Sequence, residues 1–337
     1  MSNGLKDAWR QFKVGAAVSR KVLEQKEADE IITQHFSSLT HENSMKYGPI
    51  QPREDTYNWE ETDFVTDYAR RKGLFLRGHT MLWHNQNPPW LFLEGNEPAS
   101  KNKIFQRLED HIAALTQRYN DCIYAWDVLN EVIDTDKGDD KGFRQSEWYK
   151  ICGREIYEFA FKRMREASPN AKLYYNDYNN ESGEKFEATL RFLSELLEAG
   201  VPVDGVGLQG HWYFNYPNEK IIRTAIERYS ALGLEIEFTE VDISAYEWGD
   251  KRDKADYFTS MPQDRLKGQA ALYMELFNIA SQYPSVKNIT MWGVADNHTW
   301  LDDFPVAGRK NWPLLFDEQY RPKEVVAELI KTGLALQ

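Results

Sequence analysis

Two glutamates each close a long apolar run: Glu131 follows AWDVLN (125–130) and Glu240 follows EIEFT (235–239). A carboxylate pair of this kind suits glycoside hydrolysis. One carboxyl stays protonated to hand its proton to the leaving oxygen, while the other stays ionised as nucleophile, so different surroundings must hold their pKa values apart. The alternative for either residue is a strand-end salt bridge, for which Arg77 is the strand-end arginine at hand.

Other polar residues close similar runs: Glu42 and Asn43, His79, Asn130, Asn176 and Asp177, Gln209 and His211, Asp242, then Trp292 and Asp296. Barrel interiors favour Val, Ile and Leu, so polar ends on many different strands are hard to explain as packing. The histidines His79, His84, His211 and His298, with Asp177, Asp242 and Asp296, raise a metal-dependent hydrolase as the main rival. Neither His-x-His nor His-Glu-x-x-His occurs, so no metal or cofactor is expected and these histidines read as hydrogen-bond donors that orient carboxylates and sugar hydroxyls. His35, His41 and His111 belong to helix faces or packing.

The runs that carry these residues are strand-like: 12–18, 37–43, 74–81, 122–131, 172–178, 204–212, 235–242 and 288–296. Between them, apolar residues recur at helical spacing over 24–36, 60–72, 101–120, 148–167, 184–199, 219–232 and 264–283, with a last helix at 322–334. Eight βα units with strands apolar on both faces predict an α/β fold: a (β/α)8 TIM barrel, one domain over 1–337. An open nucleotide-binding sheet would need a G-x-G-x-x-G or G-x-x-x-x-G-K-[ST] loop after the first strand, and none is present. Length beyond a minimal barrel collects at 85–100, 132–147, 243–262 and 297–321, all extended βα loops on the face where barrel active sites form.

The 337 residues carry a net charge of -12, which repels nucleic acid and anionic membrane surfaces. No obligatory protein partner is evident. Aromatic residues are abundant, with 11 Trp, 18 Tyr and 17 Phe, as at sites where flat apolar rings meet polar ligands. Cys122 and Cys152 have neither metal-ligand spacing nor disulfide density and read as reduced thiols. The amino terminus shows no signal-like apolar stretch, so a cytoplasmic location is expected.

Taken together, WDVLNE (126–131), FTEVDIS (238–244), THENSMK (40–46), RGHTMLWHNQ (77–86), YNDYN (175–179), GLQGHW (207–212), MWGVADNHTW (291–300) and PLLFDEQYRPK (313–323) resemble the family 10 glycoside hydrolases over nearly the whole chain. These are endo-β-1,4-xylanases of the (β/α)8 type. The resemblance implies a retaining double displacement on xylan-derived xylo-oligosaccharides, with Glu131 as general acid/base and Glu240 as nucleophile, about 5–5.5 Å apart. It further implies that Asn130 bonds the sugar 2-hydroxyl and that His211 bridges Glu240 and Asp242. Glu42, Asn43, Lys46, His79, Trp83, Gln86, Gln209, Trp292 and Trp300 resemble the glycone-side cradle, and Tyr178 with Asn179 the leaving-group side.

Without the family, flat Trp and Tyr faces still suit a pyranose while Asn, Gln, Lys and His read its hydroxyls. Trp126 and Trp148 are equally well explained as core. Bulky Trp292 and Trp300 would exclude the hydroxymethyl arm that glucose carries and xylose lacks. Tyr47 stands where the family usually has Trp, a change expected to bear only on the distal glycone subsite, and TMLWHNQ (80–86) replaces the commoner TLVWHSQ. The segment 304–318 resembles members without a signal peptide. A non-catalytic carbohydrate-binding barrel shares the aromatic contacts but has no need of both carboxylates with Asn130 and His211.

Overall fold

In the computed structural model, which describes residues 3–337, eight parallel strands close into a barrel. They are β1 Lys13–Val18, β2 Ser38–His41, β3 Phe75–Trp83, β4 Ile123–Asn130, β5 Lys172–Asp177, β6 Gly205–Leu208, β7 Glu235–Ser244 and β8 Val286–Met291. Each pairs with its sequence neighbours, and β8 pairs with both β7 and β1, closing the ring. Almost every strand residue is buried, because barrel side chains fill the lumen on one face and meet the helical layer on the other.

The helices follow in alternation: α1 Lys26–His35, α2 Glu60–Lys72, α3 Lys101–Tyr119, α4 Glu155–Ala167, α5 Gly183–Glu198, α6 Glu219–Ala231, α7 Gln263–Ala280 and α8 Glu324–Ala335. Two differences from the sequence reading have local causes. The expected helix over 148–167 is broken at Gly153, whose φ of 65° suits the end of a preceding short helix, Glu147–Cys152. The expected strand over 204–212 is interrupted after Leu208 and resumes as His211–Tyr213, which pairs with β7 at Asp242↔His211.

Both tryptophans with two readings prove to be core: Trp126 and Trp148 are fully buried. Tyr47 is also packed away from solvent. Its ring stacks on His111 at 3.8 Å and its hydroxyl donates to the Arg107 carbonyl at 3.1 Å, so it shapes the wall behind the site and not a sugar surface. Cys122 and Cys152 are free thiols. Among the described residues no helix is long and apolar enough to cross a membrane.

Arg77 is committed below the barrel mouth. Fully buried, it pairs with Asp127 at 2.7 Å and Glu237 at 2.6 Å, and Tyr124 donates to Glu237 at 3.2 Å. One guanidinium thus bridges two carboxylates in the lumen. Arg77→Met strands both, and removing one partner of a buried ion pair costs roughly 3–5 kcal/mol. Urea unfolding should show that loss as a lowered midpoint, and an unchanged midpoint would mean the cluster is not needed for stability.

Candidate active site

The strand ends and their loops enclose a cleft of about 710 Å3. Every residue for which the family resemblance implies a catalytic or sugar-binding role lines it except Asp242, which is fully buried behind His211. Glu131 follows the last residue of β4 and Glu240 lies within β7, so the two carboxylates reach the cleft from different parts of the barrel wall.

Their surroundings differ. Glu240 is 5% exposed and accepts from the Asn176 amide at 2.8 Å through Oε1, while Oε2 faces His211 Nε2 at 3.2 Å. Burial alone would push its pKa up. The His211 hydrogen bond, with smaller contributions from His79 and Lys46, outweighs burial and holds Glu240 below the ordinary carboxylate range. Glu131, its side chain 12% exposed, accepts from the Gln209 amide at 3.0 Å, with His84 Nδ1 at 3.5 Å from its other oxygen. Burial drives the His84 pKa down to about 4, leaving that ring neutral near pH 7. Among the described residues neither glutamate pairs with an Arg or Lys, so the strand-end salt bridge does not account for them.

Amides link the two carboxylates. Asn176 donates to both Asn130 Oδ1 and Glu240 at 2.8 Å, and its own carbonyl oxygen accepts from Thr239 at 2.6 Å. Gln209 donates to Asn130 Oδ1 at 3.3 Å as well as to Glu131. Gly207 makes room for this. A Cβ there would lie 2.1 Å from Asn176 Oδ1.

His211 sits between two acids, with Nδ1 3.0 Å from Asp242 Oδ2. Burial would lower its pKa, but Asp242 and Glu240 outweigh burial and raise it to about 10. The ring is therefore a cation that donates to both carboxylates. Asp242 Oδ2 also accepts from the Trp300 indole at 2.7 Å, so the same acid fixes the histidine and the tryptophan.

The remaining candidates form two groups. Lys46 bonds Asn43 Oδ1 at 2.9 Å and lies 4.8 Å over the Trp83 ring, beside Glu42 and Gln86. Trp292 meets His79 edge-on at 5.4 Å, and His79 Nδ1 is held 2.8 Å from Asp127. Across the cleft, the Tyr178 hydroxyl accepts from Arg144 at 2.8 Å next to Asn179. Gln86, Glu131 and Asn179 have φ of 50°, 57° and 51°, positive values that non-glycine residues seldom adopt and that gather here at one site. His298 and Asp296 do not line the cleft: Asp296 pairs with Lys323 at 2.9 Å. Among the described residues no group of three or more His, Cys, Asp or Glu side chains is placed to hold a metal ion.

The sequence model of glycosyl hydrolase family 10 matches residues 4–332. This chain belongs to that family. The chain is 47% identical over 325 residues to endo-1,4-beta-xylanase A of Caldicellulosiruptor saccharolyticus, covering 95% of this chain and 93% of that one. It is 40% identical to a beta-1,4-xylanase of Dictyoglomus thermophilum, covering 97% of this chain and 90% of that one. A solved mutant structure in complex with xylotriose superposes with a TM-score of 0.93 at 41% identity, covering 98% and 99% of the two chains. An endo-1,4-beta-xylanase structure from Caldicellulosiruptor owensensis gives 0.92 at 39% identity, with 98% and 99% covered. The family 10 chain is thus a glycoside hydrolase on a (β/α)8 barrel.

Several residues in the cleft or buried behind it in this family 10 enzyme had no assigned role in the sequence reading. Asn176 stood out only as a strand-end residue, and Thr239, adjacent to Glu240, gave no signal of its own. His84 drew notice as a hydrogen-bond partner that orients carboxylates, or as a metal ligand, and it lies 3.5 Å from Glu131. Asn85, Trp248 and Phe304 lie in the extended loops, where an aromatic residue in a long βα loop was the available cue.

The bridging imidazolium has a consequence for stability. A histidine whose folded pKa is raised to about 10 contributes fully below the ordinary imidazole value of about 6.5, and that contribution is lost as pH climbs through the raised value. Thermal midpoints of the parent should therefore decline over this alkaline window, and His211→Asn should flatten the decline. Parallel curves for the two proteins would show that the ring is not cationic.

Proposed function

We propose that this enzyme is a retaining endo-β-1,4-xylanase that cleaves xylan-derived xylo-oligosaccharides by double displacement. The observation that carries the reading is the asymmetry of the two carboxylates. Glu240, buried and held ionised by His211 and Asn176, is suited to attack the anomeric carbon. Glu131, which faces a neutral His84 and the amides of Gln209 and Asn130, is suited to protonate the glycosidic oxygen. The first step forms a bond from Glu240 to the anomeric carbon and releases the leaving sugar with the Glu131 proton. In the second, Glu131 takes a proton from water as the water oxygen displaces Glu240. Asn130 is positioned to bond the sugar 2-hydroxyl, a contact that strengthens as positive charge develops on the ring.

The relatives' names support xylan as the substrate class. Trp292, 8% exposed, and Trp300, tied to Asp242, form fixed walls against which a hydroxymethyl arm would press. Two free cysteines support a reducing compartment, the cytoplasm, where short oligosaccharides rather than polymer would arrive. Specificity constants on xylotetraose, cellotetraose and polymeric xylan test these parts separately. Xylotetraose should exceed cellotetraose by at least about tenfold, and should be favoured over polymer. Equal constants on the two tetrasaccharides would remove the steric account, and equal constants on oligomer and polymer would remove the oligosaccharide assignment.

A further inference from the structure

Arg144 lies behind the cleft lining, yet its guanidinium joins two residues that form part of that lining, Glu131 and Tyr178. Nε donates to the Glu131 backbone carbonyl at 2.8 Å, one terminal nitrogen donates to the Tyr178 hydroxyl at 2.8 Å, and the other pairs with Asp134 at 2.9 Å. The side chain is 16% exposed, so these bonds are made largely out of water. A planar fork of five N–H donors can serve three separate acceptors at once, whereas a lysine ammonium is a single point of charge.

The loop after β4 is folded to bring this arginine back. The chain returns antiparallel to itself, with Ile133 bridged to Phe143, the Asp134 N–H on the Gly142 carbonyl at 2.8 Å and the Arg144 N–H on the Val132 carbonyl at 2.8 Å. Phe143, 3% exposed, anchors the returning arm by meeting Phe192 of α5 edge-on at 5.3 Å.

Glu131 needs such support, because its φ of 57° is a conformation that a non-glycine residue keeps only where its surroundings fix it. Its N–H donates to the Asn176 carbonyl at 2.9 Å and its own carbonyl is held by Arg144, so the backbone is pinned on both sides of the side chain. Tyr178 is fixed from two directions, its hydroxyl by Arg144 and its ring by Lys185 of α5, whose Nζ lies 3.3 Å from the ring centroid and 2.6 Å from Asp177. Since the hydroxyl accepts from Arg144, it keeps its own proton to donate to a sugar. The Arg144 charge also adds to burial in lowering the His84 pKa to about 4, which keeps the ring beside Glu131 neutral.

We propose that Arg144 is a positioning residue that holds Glu131 and Tyr178 in one fixed arrangement, so that binding of the leaving-group sugar and delivery of the proton to it stay coupled. This rests on the xylanase reading. Arg144 itself touches no substrate and gives up no proton.

The test compares xylotetraose with an activated aryl xylobioside, whose leaving group needs no proton. Arg144→Ala should lower kcat/KM on xylotetraose by about ten- to a hundredfold, in kcat as well as KM, because a small misplacement of a catalytic group is enough for a loss of that size. The burst rate on the aryl substrate should fall by less than about threefold. Arg144→Lys, which keeps a charge beside Asp134 and loses the fork, is the milder variant should the alanine fail to fold, and it should show the same split. A role in the fold alone would slow both substrates alike. Equal slowing of the two substrates in Arg144→Lys, or parental rates on both, would overturn the proposal. Xylotetraose left intact by the parent enzyme would instead overturn the xylanase reading on which it stands.

Discussion

Glu240→Ala abolishes turnover of xylo-oligosaccharides, and added azide restores product formation as an α-xylosyl azide. The loss should exceed about 10^4-fold, because no other group can form the covalent intermediate, whereas loss of a general acid or base costs about 10^2–10^4-fold. Azide rescue follows from geometry. Removing the carboxylate opens a space beside the His211 imidazolium and the Asn176 amide, both of which previously bonded that anion. A small anion there attacks the face that Glu240 attacked, and with no second displacement the product is inverted. A β-linked azide from this variant would exchange the roles of the two glutamates.

Glu131→Ala behaves differently. Substrates with a sugar leaving group should slow by about 10^2–10^4-fold, while an activated aryl xylobioside, whose leaving group needs no proton, retains a fast first step and accumulates the glycosyl-enzyme. Azide then discharges that intermediate from the opposite face as the β-xylosyl azide. Burst kinetics on the aryl substrate with a slow steady state would show the split. Equal slowing of both substrate types, with no burst, would remove Glu131 from the proton-transfer role.

The barrel and its site were legible wherever a residue's role follows from its place along one strand. Glu131 ends an apolar run, so its placement beside the cleft needs no knowledge of the other strands. Asn176 is different, because its part depends on a contact across the lumen that Gly207 permits, and nothing local to YNDYN reveals it. Arg77 shows the same limit. Its sequence position suited a partner for Glu131 or Glu240, but its side chain meets Asp127 and Glu237, which claim its charge.

Tyr47 stood out only by its departure from the family pattern, and its stacking on His111, a contact between distant segments that turns the ring inward, was not readable from its neighbours in sequence. The break at Gly153 was hidden because apolar spacing continues through both helices, each burying residues against the same core. Trp248 and Phe304 sit in loops without periodicity, so their approach to Trp300 could emerge only from the folded chain.

Two successive displacements at Glu131 and Glu240 leave a stereochemical signature on a xylo-oligosaccharide. Proton NMR of the anomeric signals during the first minutes of xylotetraose hydrolysis reads that directly. Reducing ends should appear as the β-anomer and reach the α-anomer only by mutarotation. Reducing ends that appear first as the α-anomer would contradict it, since a single displacement by water would then have occurred.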